Sequence, residues 1–211
     1  MVDAGVDRQT VDTPDVDRRH TDQGLERKQQ LLDTAEVLFA EAGYAQTRIA
    51  DICAAAGVAK GLFYWYFPTK QSLFAELVRT MRKQLRRAQA AAMDPRADAL
   101  SRIRQGSMAS VRFMAEHRAY FTLLDVERSE PALAEVLRDG SDVYAADVVR
   151  LIIEAQADGT VAPGDPQLQA VGVLGAVSSF SHALRNGAVD VDVDTLAEAV
   201  GDWVVGGLTA R

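Results

Sequence analysis

Cysteine is nearly absent from this sequence, with Cys53 alone among 211 residues. No internal disulfide can form, so the fold must rest on an apolar core rather than on covalent cross-links. Cys53 falls on an apolar stripe, where a small core residue fits. Histidines number three, His20, His117 and His182. The chain has no paired-histidine metal motif, no Cys-x-x-Cys, no Gly-x-Ser-x-Gly elbow and no glycine-rich phosphate loop. Metal, redox and nucleophilic chemistry therefore have no recognisable constellation here, and no cofactor is expected. An enzyme would have to lean on His117 and His182 as bases, which makes it the competing class rather than the leading one. There is no alternating strand pattern, no apolar run long enough to span a bilayer and no signal peptide, so an all-α cytoplasmic protein is expected.

What is present describes an ordinary globular chain, 48% hydrophobic and 25% charged, long enough for one or two domains. The formal net charge of −7 is unevenly spread. Three basic residues stand against six acidic ones over 1–25, ten against six over 26–90 and ten against eighteen over 91–211, giving −3, +4 and −8. The positive middle suits a polyanion, and the acidic remainder should stay away from it. A sequence-neutral chromosome-coating protein would need more than +4.

That positive segment contains the run from Thr47 to Lys70, TRIADICAAAGVAKGLFYWYFPTK. With Thr47 as N-cap, Ile49, Ile52, Cys53 and Ala56 make one apolar stripe of a two-turn helix, and Gly57 supplies a left-handed stop. Val58 buries the turn. A second helix starts near Ala59 or Lys60 and must stop before Pro68. This is a helix-turn-helix. Phe63 and Phe67 share the inner face of the second helix, leaving Lys60, Gly61, Leu62, Tyr64 and Trp65 for solvent or a partner. Lysines suit phosphates, a Tyr hydroxyl can donate to one, Leu62 suits a thymine methyl and Gly61 permits close approach.

The segment from Glu26 to Arg86 resembles the DNA-binding domain of TetR-family transcriptional regulators. The matching residues are Phe39, Gly43, Thr47, Ile52, Ala56, Gly57, Val58, Lys60, Gly61, Tyr64, Phe67, Lys70 and Leu73. The resemblance implies that Lys60, Leu62, Tyr64 and Trp65 face DNA and that Arg48 and Lys70 hold phosphates. DNA contact is therefore expected from Thr47, Arg48, Lys60, Gly61, Leu62, Tyr64, Trp65 and Lys70. Two departures stand out. Ala59 occupies a position usually held by serine, removing a cap worth about 1 kcal/mol, and Leu62 replaces a smaller or hydroxylated residue.

Around this stretch the expected organisation is an acidic disordered tail over 1–24, the helix-turn-helix domain over 25–72, a linker helix over 73–93 and a helical domain over 94–211. The first helix runs from Leu25 to Gly43. Arg18, Arg19 and His20 precede it as a solvated arm, the alternative being a minor-groove contact. A fourth helix, capped by Thr69, runs to about Met93, with Leu73, Leu77, Val78, Met81 and Leu85 inward. Further helices are expected over 97–116, 118–128, 131–157, 166–186 and 194–209, about nine in all.

The resemblance implies that the helical domain dimerises and binds an effector. Its last two helices offer Leu174, Val177, Leu184, Val200, Trp203 and Val204 beside small residues, a composition suited to a four-helix interface with a second copy. A pocket for a small apolar or aromatic effector would draw on Met108, Phe113, Met114, His117, Tyr120, Phe121, Tyr144, Phe180 and His182. The expected function is a homodimeric regulator, most simply a repressor released from an inverted-repeat operator in double-stranded DNA.

Overall fold

A computed structural model describes residues 15–127, 131–138 and 141–209; side chains are described from Gln23 onward, excepting 126–132, 134 and 138–144. Among the described residues there are ten helices and no strand. Helices α1 (Asp15–Ala42), α2 (Ile49–Ala55), α3 (Lys60–Tyr66) and α4 (Lys70–Ala92) come first. Then follow α5 (Ala99–Glu116), α6 (Arg118–Glu127), α7 (Pro131–Arg138), α8 (Ser141–Ala157), α9 (Pro166–Arg185) and α10 (Val193–Thr209).

Local chemistry sets most of these boundaries. Gly43 and Gly57, at φ 81° and 64°, end α1 and close the turn after α2 in the left-handed region that glycine tolerates. Thr69 and Ser72 form a reciprocal capping box at the start of α4, each side chain bonding the other's backbone N–H at 3.0 Å. Asp98 and Asp165 cap α5 and α9 through the N–H groups of Ser101 and of Gln167 and Leu168.

Three boundaries differ from expectation. Helix α1 begins at Asp15, ten residues ahead of Leu25, so the expected tail contributes helix over 15–24, and residues 1–14 lie outside the described residues. Thr47 does not cap α2; Arg48 is the N-cap. The single helix expected over 131–157 is two, α7 and α8, and residues 139–140 lie outside the described residues.

Two cores organise the chain. One gathers Leu31, Phe39, Ile52, Phe63, Leu73 and Phe74 of α1–α4, and it also takes in Phe113, Tyr120, Leu123 and Leu133 from α5, α6 and α7. The second lies among α5, α8, α9 and α10, with Ile103, Val111, Ile152, Val173 and Val200 at its centre. Helix α4 spans the distance between them. No helix among the described residues is long and apolar enough to cross a membrane.

Candidate nucleic-acid interface and ligand cavity

The short helix α3 is held by what it buries. Phe63 and Phe67, 0% and 3% exposed, pack into the first core, and Tyr66 donates its hydroxyl to the Gly24 carbonyl of α1 at 2.8 Å. Anchored on that side, the helix turns Lys60, Gly61, Tyr64 and Trp65 outward, with Leu62 half-buried. Tyr64 is 53% and Trp65 75% exposed, although large aromatics normally bury most of their surface. Open space surrounds Gly61, so another backbone can come close. Arg48 is exposed at the start of α2 and grips Asp51 through two hydrogen bonds of 2.9 Å. Those bonds hold the Asp51 carboxyl below its usual range.

Two residues expected at this face do other work. Thr47 is 3% exposed, and its hydroxyl donates to the carbonyls of Gly43 and Leu38 at 2.8 and 3.1 Å, tying the α1–α2 turn to α1. Lys70 Nζ donates to the backbone carbonyls of Tyr44 and Thr47 at 2.6 and 2.8 Å and stands 4.3 Å from the centre of the Tyr44 ring. Both residues build the platform rather than extend from it. Lys70 thereby fastens the first residue of α4 to the loop that precedes α2. Burial raises the Cys53 thiol above its ordinary value, in keeping with its place in the core.

Away from this face, a cavity of about 460 Å³ runs along one stripe of α4. Val78, Met81, Arg82, Leu85, Gln89 and Met93 form that wall, spaced by three, four and seven residues as one helix face requires. Opposite stand Gly106, Ser107, Ser110 and Met114 of α5, Tyr120, Phe121 and Leu124 of α6, and Val173, Leu174 and Val177 of α9. The lining is mainly apolar with a few polar tips. Gln89 Nε2 donates to Ser110 Oγ at 2.8 Å, and Ser110 in turn donates to the Gly106 carbonyl. A Cβ at Gly106 would stand 2.3 Å from the Met93 methyl, so the end of that flexible side chain would have to move aside.

Of the residues expected to line a pocket, Met114, Tyr120 and Phe121 do so. Met108 instead packs on Gly201 of α10, Phe113 joins the first core with His117 stacked on it at 4.2 Å, and Phe180 packs edge-on against Trp203. His182 turns to Asp125, its Nδ1 2.8 Å from Oδ2. The side chain of Tyr144 lies outside the described residues. The main omission from the expected pocket is the α4 wall, since Val78, Met81 and Leu85 had been assigned only to core packing.

The expected dimer face also needs correction. Val177, Val200 and Val204 are 5%, 0% and 2% exposed and point inward, because the apolar repeat of α10 is the stripe that packs on α5. Leu174 lines the cavity and Leu184 is half-buried. The outward apolar surface consists instead of Leu168 and Val171 on α9, 71% and 64% exposed, and Trp203 on α10, 55% exposed. Around them, Gly172, Gly175, Gly206 and Gly207 have open space where a side chain would project.

Comparison with known proteins places this architecture. Residues 31–77 match the family model described as bacterial regulatory proteins, tetR family. An uncharacterized HTH-type transcriptional regulator of Bacillus subtilis (strain 168), YhgD, is 24% identical over 189 residues, covering 89% of this chain and 99% of that one. The HTH-type transcriptional repressor KstR2 of Rhodococcus jostii (strain RHA1) is 43% identical over 53 residues, about a quarter of each chain (25% and 26%). The solved structure of the fatty acid degradation regulator FadR from Bacillus halodurans superposes with a TM-score of 0.76 at 21% identity, over 88% of this chain and 97% of that one.

Proposed function

The chain belongs to the TetR family of transcriptional regulators, and from that premise we propose that it is a homodimeric repressor whose α3 helices read an inverted-repeat operator until a largely apolar effector releases them. The observation behind the DNA reading is the outward set Lys60, Gly61, Tyr64 and Trp65, with the half-buried Leu62 among them, on a helix whose other side is fixed by Phe63 and Phe67. Tyr64 and Lys60 reach phosphates, Leu62 and Trp65 touch base edges, and Arg48 exchanges Asp51 for a phosphate oxygen.

A seven-residue helix reads few base pairs, so two copies are needed. The surface formed by Leu168, Val171, Trp203 and the neighbouring glycines supplies a self-complementary face in which helices can approach closely. Two-fold symmetry then sets the α3 helices about 34 Å apart, one turn of the duplex. A dimer seated on a promoter represses by occupancy.

The cavity provides the release. Its α4 wall includes Val78, Met81 and Leu85, which also belong to the core of the DNA-reading head. An occupant that displaces α4 moves the head, because Lys70 clamps the start of that helix to the α1–α2 turn. The effector need only prefer the conformation with mismatched spacing. An apolar effector agrees with the cavity lining and with the fatty-acid role in the description of FadR.

The deciding experiment is selection of bound sequences from random duplex DNA by the purified chain, followed by titration at several salt concentrations. Enrichment of an inverted repeat bound by two chains is expected. Binding without sequence preference, lost steeply with salt, would overturn the operator reading.

A further inference from the structure

Beside the cavity lies a polar cluster that neither DNA reading nor apolar packing uses. Arg185, in the last turn of α9, has a side chain only 7% exposed. Its Nη2 donates to Asp125 Oδ2 on α6 at 2.8 Å, and its guanidinium carbon stands 5.6 Å from the centre of the Phe121 ring. The remaining two nitrogens, Nε and Nη1, are buried without an acceptor, as is the hydroxyl of Ser181 one turn earlier on the same face of α9. Arg118 donates to the Arg185 carbonyl, and His182 approaches the same Asp125 oxygen. Arg118, His182 and Arg185 thus meet at one corner of α6 and α9, where Asp125 is the only carboxylate they engage among the described residues.

Buried donors without acceptors are rare in folded proteins, because each gives up its water and receives nothing in return. A guanidinium can only donate, so what completes it must bring oxygen acceptors. The position is informative. Phe121, which packs on Arg185, lines the cavity, as does Val177, one turn before Ser181. Cavity and cluster therefore share the α6 and α9 walls, with the Phe121 ring between them.

We propose that Arg185 and Ser181 form a head-group subsite that accepts the carboxylate or phosphate of an amphipathic anion whose apolar body fills the cavity, with Phe121 turning aside to admit it. This rests on the cavity being the effector site. Anions are favoured over neutral oxygen because charge-assisted hydrogen bonds to a guanidinium are the stronger kind in a dry setting, and Asp125 offsets only part of the positive charge gathered there.

The test uses the full chain and displacement of N-phenyl-1-naphthylamine, a neutral apolar dye, by 1-decanol, decanoate and decyl phosphate. Decanoate or decyl phosphate should displace the dye at concentrations about tenfold lower than decanol does, the size expected of one charge-assisted contact. The tighter of the two anions identifies the head group. In Arg185→Gln the preference should vanish while decanol is unaffected. Should that variant fail to fold, Ser181→Ala should still reduce the anion preference several-fold with decanol unchanged. Equal displacement by all three probes, or a preference that survives both substitutions, overturns the subsite and leaves the cavity standing. Absence of dye binding, with no probe raising the melting temperature, overturns the cavity and the subsite with it.

Discussion

Trp65 and Lys70 show how differently two residues of one motif can act. Trp65 packs edge-on against Tyr66 at 4.5 Å and otherwise meets solvent, so Trp65→Ala should alter stability by no more than about 0.5 kcal/mol. Its expected effect is on operator preference, measured by titrating a panel of operator variants. Lys70 is the reverse case. Lys70→Met leaves the Tyr44 and Thr47 carbonyls without their donor, so thermal unfolding should show a loss of about 1–3 kcal/mol. If Lys70→Met lowers DNA affinity at unchanged melting temperature, the clamp is wrong and the lysine serves DNA after all. Asp125 offers a test through pH. Burial opposes its ionisation, but hydrogen bonds from Arg185 and His182 prevail and hold its carboxyl below the ordinary value. A depressed carboxylate stabilises the fold above the ordinary aspartate pKa, and that contribution disappears as pH falls through the depressed value. Asp125→Asn should therefore lower the melting temperature at pH 7, and the gap from the parent should close on acidification below about pH 4. A gap independent of pH would mean that ionisation of Asp125 contributes nothing.

Among the helices, α2 and α3 were legible because every signal that makes them is local. The stripe of Ile52, Cys53 and Ala56, the stop at Gly57 and the barrier at Pro68 need no tertiary knowledge. Gly57→Ala tests this directly. Nothing stands within 4 Å of the position where a Cβ would lie, so any loss comes from the left-handed backbone at φ 64° and should reach about 1 kcal/mol by chemical denaturation. Longer helices were less legible, since an apolar stripe does not say what it faces. The Leu196, Val200, Val204 and Leu208 repeat of α10 has the spacing of either a dimer seam or a core, and packing on α5 decides for the core. The α4 stripe likewise became a cavity wall only because α5, α6 and α9 stand back from it. Thr47 looked like a cap because threonine often is one; its burial against Leu38 and Gly43 depends on how α1 returns past the turn.

Considered whole, the chain carries the exposed apolar residues Leu168, Val171 and Trp203 on α9 and α10, far in sequence from α3. Replacing Leu168 and Val171 together by Asp puts two charges where a self-complementary seam is proposed. Light scattering or sedimentation should then report a monomer with an unchanged helical spectrum, and operator affinity should fall with it. A dimer that survives the double change would place the seam elsewhere. The first core has a different kind of consequence. Tyr120, Leu123 and Leu133 close over the same interior as Leu31, Phe39 and Phe74, so the DNA-reading head is not bounded by its own four helices. Cutting after α4 would strip that interior of its lid. Exchange of heads between regulators of this build, whether in the laboratory or by recombination, must carry α6 and α7 along or find substitutes that fit them. The head and the helices that cover it are thus inherited here as one block.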